Sequence, residues 1–383
     1  MPLINHAGGG GGTPQLCSQV ENFVVVPGVL SATLKWTAPD PDEDSSFVGV
    51  RIVRKTESAP TGLSDGTMVY EGTALTYTDT GLTAGTTYYY RAFAYNAKKK
   101  YQTAMKVVKL IAMTSVSFSS MSWDEISALS RMGVASSVFS VGDTKPLVLN
   151  GTVGTSLLGT YTFTNKVVNV FILGFNHNAG IEGDNLIHLM MGKKLSGSTG
   201  YVLPGQFFMT EDTSQKGWAS IDLRVSVLGG ASTPTAPKSN TLMAALPAEL
   251  RQVMRPALKY ANNSYEYSKY DTSMYTKNSE YLTLPSQNEA YGLNSMSYVN
   301  SNINVYPAEL TLMQQYDYFK AGNSVQAFLE TDASSAVRYW SRSADPGNSS
   351  PSSSAYYFPI QTDSPAFSLS TCNYAYIRPI LFV

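Results

Sequence analysis

Tyr77-Thr-Asp-Thr-Gly-Leu-Thr-Ala-Gly-Thr-Thr-Tyr-Tyr-Tyr-Arg-Ala-Phe-Ala-Tyr-Asn96 decides the fold of the N-terminal part of the chain. Its second half, Tyr88 to Tyr95, is strand-like, because aromatic residues suit a pleated surface. Its middle carries two glycines, Gly81 and Gly85, which mark a turn. Working outward, Val24 to Val26, Ala32 to Trp36, Val48 to Arg54, Met68 to Tyr70 and Met105 to Leu110 are also strand-like, separated by turns rich in Gly, Pro, Asp and Ser. About seven short strands in about 95 residues, with regular turns, is the pattern of a β-sandwich.

Two parts of this segment resemble a fibronectin type III domain, with the likeness running over 16–113. Leu34-Lys-Trp36 followed by Pro39-Asp-Pro-Asp42 resembles its strand B and the turn after it. Tyr77 to Asn96 resembles its E–F corner and strand F. The resemblance implies that Leu82 packs under the corner and that Tyr88 bonds back to the backbone. It also implies a spacer or docking module. Asp40, Asp42 and Asp44 have the spacing of the first ligands of a calcium loop, but Ser45 and Arg51 stand where that loop needs Gly and Glu. A solvated loop is expected there, and a turn at Lys98-Lys99-Lys100.

The 383 residues suffice for two or three domains, and 43% hydrophobic residues support large cores. Only 14% are charged, against about 25% in an average soluble protein. Ser, Thr, Asn, Gly and 25 Tyr replace them, the composition of extracellular β-proteins and virion proteins. A net charge of −1 argues against nucleic-acid binding. No apolar run is long enough to span a membrane. Met1 to Gly12 lacks the pattern of a signal peptide, so synthesis in a host cytoplasm and release with a particle are expected. Residues 1–15, with Gly8 to Gly12, suit a flexible leader or a peptide ordered only against a neighbouring subunit. Cys17 and Cys372 lie at opposite ends and are expected to be two free thiols.

From 114 to 383 an α+β domain with an irregular sheet is expected. Ser122 and Glu125 form a capping-box pair, with Trp123, Ile126, Leu129 and Met132 on one helical face and Gly133 as the stop. A hairpin-like run, Leu147 to Thr152, and a buried strand, Val167 to Phe175, follow. Leu242, Leu246, Leu250, Met254 and Leu258 recur every four residues, predicting two short helices up to Tyr260, broken at Pro247 and Pro256. Tyr260 to Asn304 is a Tyr-rich, polar, ordered insertion centred on Tyr281 to Glu289. The closing run, Tyr374-Ala-Tyr-Ile-Arg-Pro-Ile-Leu-Phe-Val383, alternates as a strand buried on both sides, with Pro379 at an edge or bulge.

This part also resembles a domain of unknown function of phage tail proteins and Gram-positive surface proteins. The landmarks are Ser122-Trp-Asp-Glu-Ile126, Val141-Gly-Asp-Thr-Lys145, Ile172 to Asn178, Leu284-Pro-Ser286 with Glu289, Gln315-Tyr-Asp-Tyr-Phe319, Tyr339-Trp-Ser-Arg342 and Ile377-Arg-Pro379. The run Gly347 to Ser354 departs from that pattern. In general plan the segment is similar to C-type-lectin-like display domains.

No motif of a hydrolase, a phosphate-binding loop or a metalloprotease is present, so no enzyme and no cofactor are expected. His177 and His188 allow a metal pair with Asp184 or Glu182, or a histidine holding a turn. Glu249, Glu280, Glu289 and Glu330 offer carboxylates for glycan hydrolysis, with no spacing that selects a pair. Trp218 and Arg224 suit a core. Tyr339, Trp340, Arg342, Tyr356, Tyr357, Tyr374 and Tyr376 supply aromatic faces and polar donors, and form the expected ligand-binding set. The sequence therefore points to a phage virion protein: a tail-tip or baseplate receptor-binding protein that contacts other virion proteins and a host glycan or protein. A trimer is favoured among homo-oligomers. A decoration protein or a bacterial adhesin is the alternative.

Overall fold

A computed structural model describes residues 16–42, 44–104, 106–113, 115–193, 202–206, 217–262, 275–292, 312–321, 338–344, 356–361, 369–370 and 375–383. The chain forms two compact units, Met1–Val116 and Ser117–Val383.

The first unit contains β1 (Glu21–Gly28), β2 (Ser31–Thr37), β3 (Phe47–Thr56), β4 (Thr67–Gly72), β5 (Thr76–Thr80), β6 (Thr87–Asn96) and β7 (Lys106–Ile111). They form a three-stranded sheet, β1-β2-β5, and a four-stranded sheet, β4-β3-β6-β7. Strands β1 and β2 alternate buried and exposed residues, as expected when one face meets a core. Trp36, Leu34, Ile52 and Tyr90 fill that core. At the corner between β5 and β6, Leu82 is buried and the Tyr88 hydroxyl accepts from the Thr83 N–H at 3.1 Å. Both roles implied by the resemblance are therefore present. Tyr90 donates to the Asp79 carboxylate at 2.9 Å, and Arg54 pairs with the same group, so the buried Asp79 is satisfied. Lys98 to Lys100 form the expected turn, held by the Asn96 side chain. Asp40 and Asp44 spend their carboxylates on local backbone N–H groups.

The second unit opens on α1 (Trp123–Arg131), where Ser122 and Glu125 make the predicted reciprocal cap. Trp123, Ile126 and Leu129 are buried, and Gly133 takes the left-handed conformation (φ +71°) that ends the helix. Next come β8 (Thr144–Thr155), β9 (Gly159–Phe175), α2 (Ala179–Glu182), β10 (Ile187–Met191), β11 (Leu203–Gln206), α3 (Gly217–Ser220), a π-helical turn (Leu223–Leu228), α4 (Leu242–Ala245) and α5 (Ala248–Val253). The chain continues through β12 (Ala257–Asn262), β13 (Tyr275–Glu280), β14 (Leu282–Thr283), α6 (Gln287–Tyr291), α7 (Asp317–Lys320), β15 (Arg338–Ala344), β16 (Tyr356–Gln361), β17 (Leu369–Ser370), β18 (Ala375–Ile377) and β19 (Ile380–Phe382). Its sheets are β14-β19-β10-β9-β8, β11-β18-β15-β16-β17 and the two-stranded β12-β13.

Two sequence expectations are corrected. The four-residue Leu spacing does not extend helix beyond Val253. Pro256 offers no N–H, and Ala257 to Asn262 run extended beside Tyr275 to Glu280. The closing run is two strands rather than one. Pro379 interrupts the ladder, so β18 pairs with β11 and β15 in one sheet, and β19 with β10 and β14 in another. The leader Gly8 to Gly12, Cys372, Tyr374, Glu330 and most of Tyr260 to Asn304 lie outside the described residues.

Candidate functional site

The densest cluster of ionisable groups among the described residues lies inside the second unit. Its centre is Glu289. Ser286 caps α6, and its own N–H donates to Glu289 Oε2 at 2.8 Å, which fixes the carboxylate at the start of the helix. β15 is the central strand of its sheet and turns Arg342 inward. The guanidinium grips Glu289 with both prongs, Nη1 to Oε2 at 2.6 Å and Nη2 to Oε1 at 2.7 Å. It also donates to the carbonyls of Leu284 (2.6 Å) and Tyr260 (2.9 Å).

Lys259 enters from β12, flanked on its face by the buried Ala257 and Ala261, while Leu258 points outward. Its ammonium donates to Glu289 Oε1 at 2.9 Å and to the Tyr316 hydroxyl at 2.8 Å, and it contacts the Glu182 carboxylate of α2. A lysine only donates, so the Tyr316 oxygen accepts from it. The tyrosine hydroxyl lies 3.1 Å from His188 Nδ1, which can accept its proton. His177 stacks on Tyr316 with centroids 4.1 Å apart and donates from Nε2 to the Gln314 carbonyl at 3.0 Å.

Two carboxylates and two cations balance in this core. Burial opposes the charge on Glu289, and the Arg342 and Lys259 charges overcome it and hold its carboxyl below the usual range. Burial pushes Glu182 up to about 7, against the opposing pull of Lys259. Burial, then the Lys259 charge, lowers His177 to about 3 and holds His188 well below its usual value. Both histidines are therefore neutral near neutrality. A second pair lies in the same unit: Glu280 Oε1 accepts from Arg224 Nε (2.7 Å) and Trp218 Nε1 (2.9 Å).

The residues expected to bind a ligand separate. Tyr339, Trp340 and Arg342 are fully enclosed, at 1%, 0% and 0% exposure, and cannot form a recognition face. Tyr339 to Ser343 are all buried, so both faces of their central strand are covered, which sequence spacing alone did not show. Tyr376 is half-buried and packs on Tyr339 at 5.9 Å between centroids, and Arg378 lies over the other partner's ring, 4.7 Å from the Tyr339 centroid. Tyr356 and Tyr357 open β16, next to β17. Tyr374 lies outside the described residues.

The carboxylates considered for glycan hydrolysis also separate. Glu280 and Glu289 are sealed, each against an arginine, and Glu249 is exposed. Glu182 meets a lysine ammonium where a metal would need its oxygens, and Asp184 is exposed. Among the described residues no group of three His, Cys, Asp or Glu is placed to hold a metal ion. The sequence reading missed Lys259 and the partnership of Glu182 with Glu289. The signal available was the Ala-Leu-Lys-Tyr-Ala alternation after Pro256, which places Lys259 on the small-residue face of a strand.

No protein-family model matches the chain, and a search of curated proteins returns no match. Among solved structures, it is similar to the fibronectin type-III domain of human fibronectin type III domain containing protein 3 (22% identity, 29% of this chain, 100% of that one, TM-score 0.23). It is also similar to the third fibronectin III domain of human KIAA0343 protein (15% identity, 31% and 99% covered, TM-score 0.22). By its own strand order, β1-β2-β5 against β4-β3-β6-β7, and by its Leu82–Tyr88 corner, the first unit has a fibronectin-type-III-like fold.

Proposed function

We propose that this chain is a phage virion protein whose second unit attaches the particle to the host surface, with the fibronectin-type-III-like unit as spacer. What carries the proposal is where the second unit keeps its chemistry. The ionisable groups best suited to catalysis are sealed in the core and occupied with one another. Such a core holds strands in register, and it leaves the Tyr-, Ser- and Asn-rich connections for adaptable recognition. The resemblance to phage tail and Gram-positive surface domains agrees with this. Glu289, Tyr316 and Arg342, which lie among the residues of that resemblance, are partners in one network. Low charge and abundant Tyr suit extensive contact with other virion proteins, and a trimer is the proposed assembly.

The test is binding of the purified chain to host cells and to isolated envelope glycans, beside Tyr356→Ala and Tyr357→Ala. Parental melting with lost binding supports attachment through β16. Parental melting with full binding removes β16 from the receptor face. A chain that binds purified particles but not cells favours a decoration role.

A further inference from the structure

We propose that Lys259 and Glu182 condense, inside the folded second unit, into an intramolecular amide cross-link, with Glu289 as the residue that holds the lysine in position. Both side chains are enclosed, at 1% exposure each, and the ammonium lies directly against the carboxyl group. Neither oxygen of Glu182 accepts a hydrogen bond of ordinary geometry. The ammonium therefore touches this carboxyl group without being aligned to a lone pair, whereas it bonds Glu289 regularly at 2.9 Å. Arg342 grips Glu289 through both oxygens and keeps it a carboxylate, a fixed anchor for the neighbouring lysine. Glu182 has no such partner, and burial pushes it toward the neutral, electrophilic form. The two carboxyl groups are thus set to different tasks by their surroundings.

The step balances without a co-reactant. The Lys259 ammonium passes one proton to the Glu182 oxygen that it touches, which leaves an amine beside a neutral carboxylic acid. The freed amine attacks Cδ of Glu182, a C–N bond forms, and the C–O bond to the departing oxygen breaks. Both protons that the nitrogen gives up end on that oxygen, the first before the attack and the second after it, and one water leaves. An ammonium and a carboxylate become an amide. Four buried charges fall to two, the Arg342–Glu289 pair, which relieves the desolvation cost of the other pair. The site also excludes bulk water, which disfavours the reverse hydrolysis. The bond would tie α2 to β12, which lie 77 residues apart in sequence between Glu182 and Lys259.

The experiment is mass spectrometry of the full-length chain after denaturation, followed by tryptic mapping. The expected mass is one water below that of the sequence. Trypsin should fail to cleave after Lys259, and the peptide containing Lys259 should appear joined to Val167–Lys193, which contains Glu182. Lys259→Met and Glu289→Gln should each restore the full mass. A parental chain at full sequence mass, with ordinary cleavage after Lys259, overturns the proposal whether or not the variants fold. A water loss mapped to another site overturns it equally. Persistence of the link in folded Glu289→Gln overturns the role of Glu289.

Discussion

Arg342→Met tests whether the buried network, rather than a surface, is what this residue serves. The guanidinium makes four hydrogen bonds: two to Glu289 and one each to the Leu284 and Tyr260 carbonyls. Methionine fills much of the space but donates to none of them. Glu289 would keep its contacts with Lys259 Nζ and the Ser286 N–H, and lose the bidentate partner that offsets its burial. Removing one partner of a buried pair costs about 3–5 kcal/mol. Each carbonyl left without its donor adds about 1–3 kcal/mol, less where the site relaxes. A loss of at least about 5 kcal/mol is expected, comparable with the whole stability of many domains. Tryptophan fluorescence in a urea titration is a suitable assay, since Trp123, Trp218 and Trp340 lie in the second unit and only Trp36 in the first. The transition of the second unit should shift far to lower urea, while the first stays put. Arg342→Lys, which keeps the charge and loses the fork, should fall between. Parental unfolding of Arg342→Met, with lost attachment to host cells, would refute the structural assignment and return Arg342 to the recognition surface.

Two further outcomes are expected. Tyr88→Phe removes the acceptor for the Thr83 N–H and should destabilise the first unit alone by about 0.5–1.5 kcal/mol, read as a shift of its own melting transition. His177 titrates in the folded chain near 3 rather than at its ordinary value of 6.5, so its contribution to stability is present above 6.5 and lost as pH falls below it. At about pH 5 the second unit should be weaker by about 2 kcal/mol from this group, and His177→Asn should flatten that acid slope; an unchanged slope would contradict the burial of a neutral imidazole.

The features legible in the chain are local or strongly periodic. The cap of α1 needs only Ser122 and Glu125, three residues apart, and the corner of the first unit needs only Leu82, Thr83 and Tyr88. Such contacts close within a turn or two, so spacing carries them. The strands of the first unit are legible for the same reason, because one solvated face leaves an alternating pattern. The network in the second unit is of another kind. Glu182, Lys259, Glu289 and Arg342 come from four separate elements and Tyr316 from the cap of a fifth, and no short-range pattern links them. The four-residue Leu spacing even favoured helix through Lys259, until Pro256 and pairing with β13 imposed a strand. Trp340 and Arg342 looked like recognition residues because aromatic and cationic side chains serve surfaces and cores alike. Only the tertiary structure placed a strand along each edge of β15 and a carboxylate opposite Arg342, and burial then turned a surface-like sequence into a core.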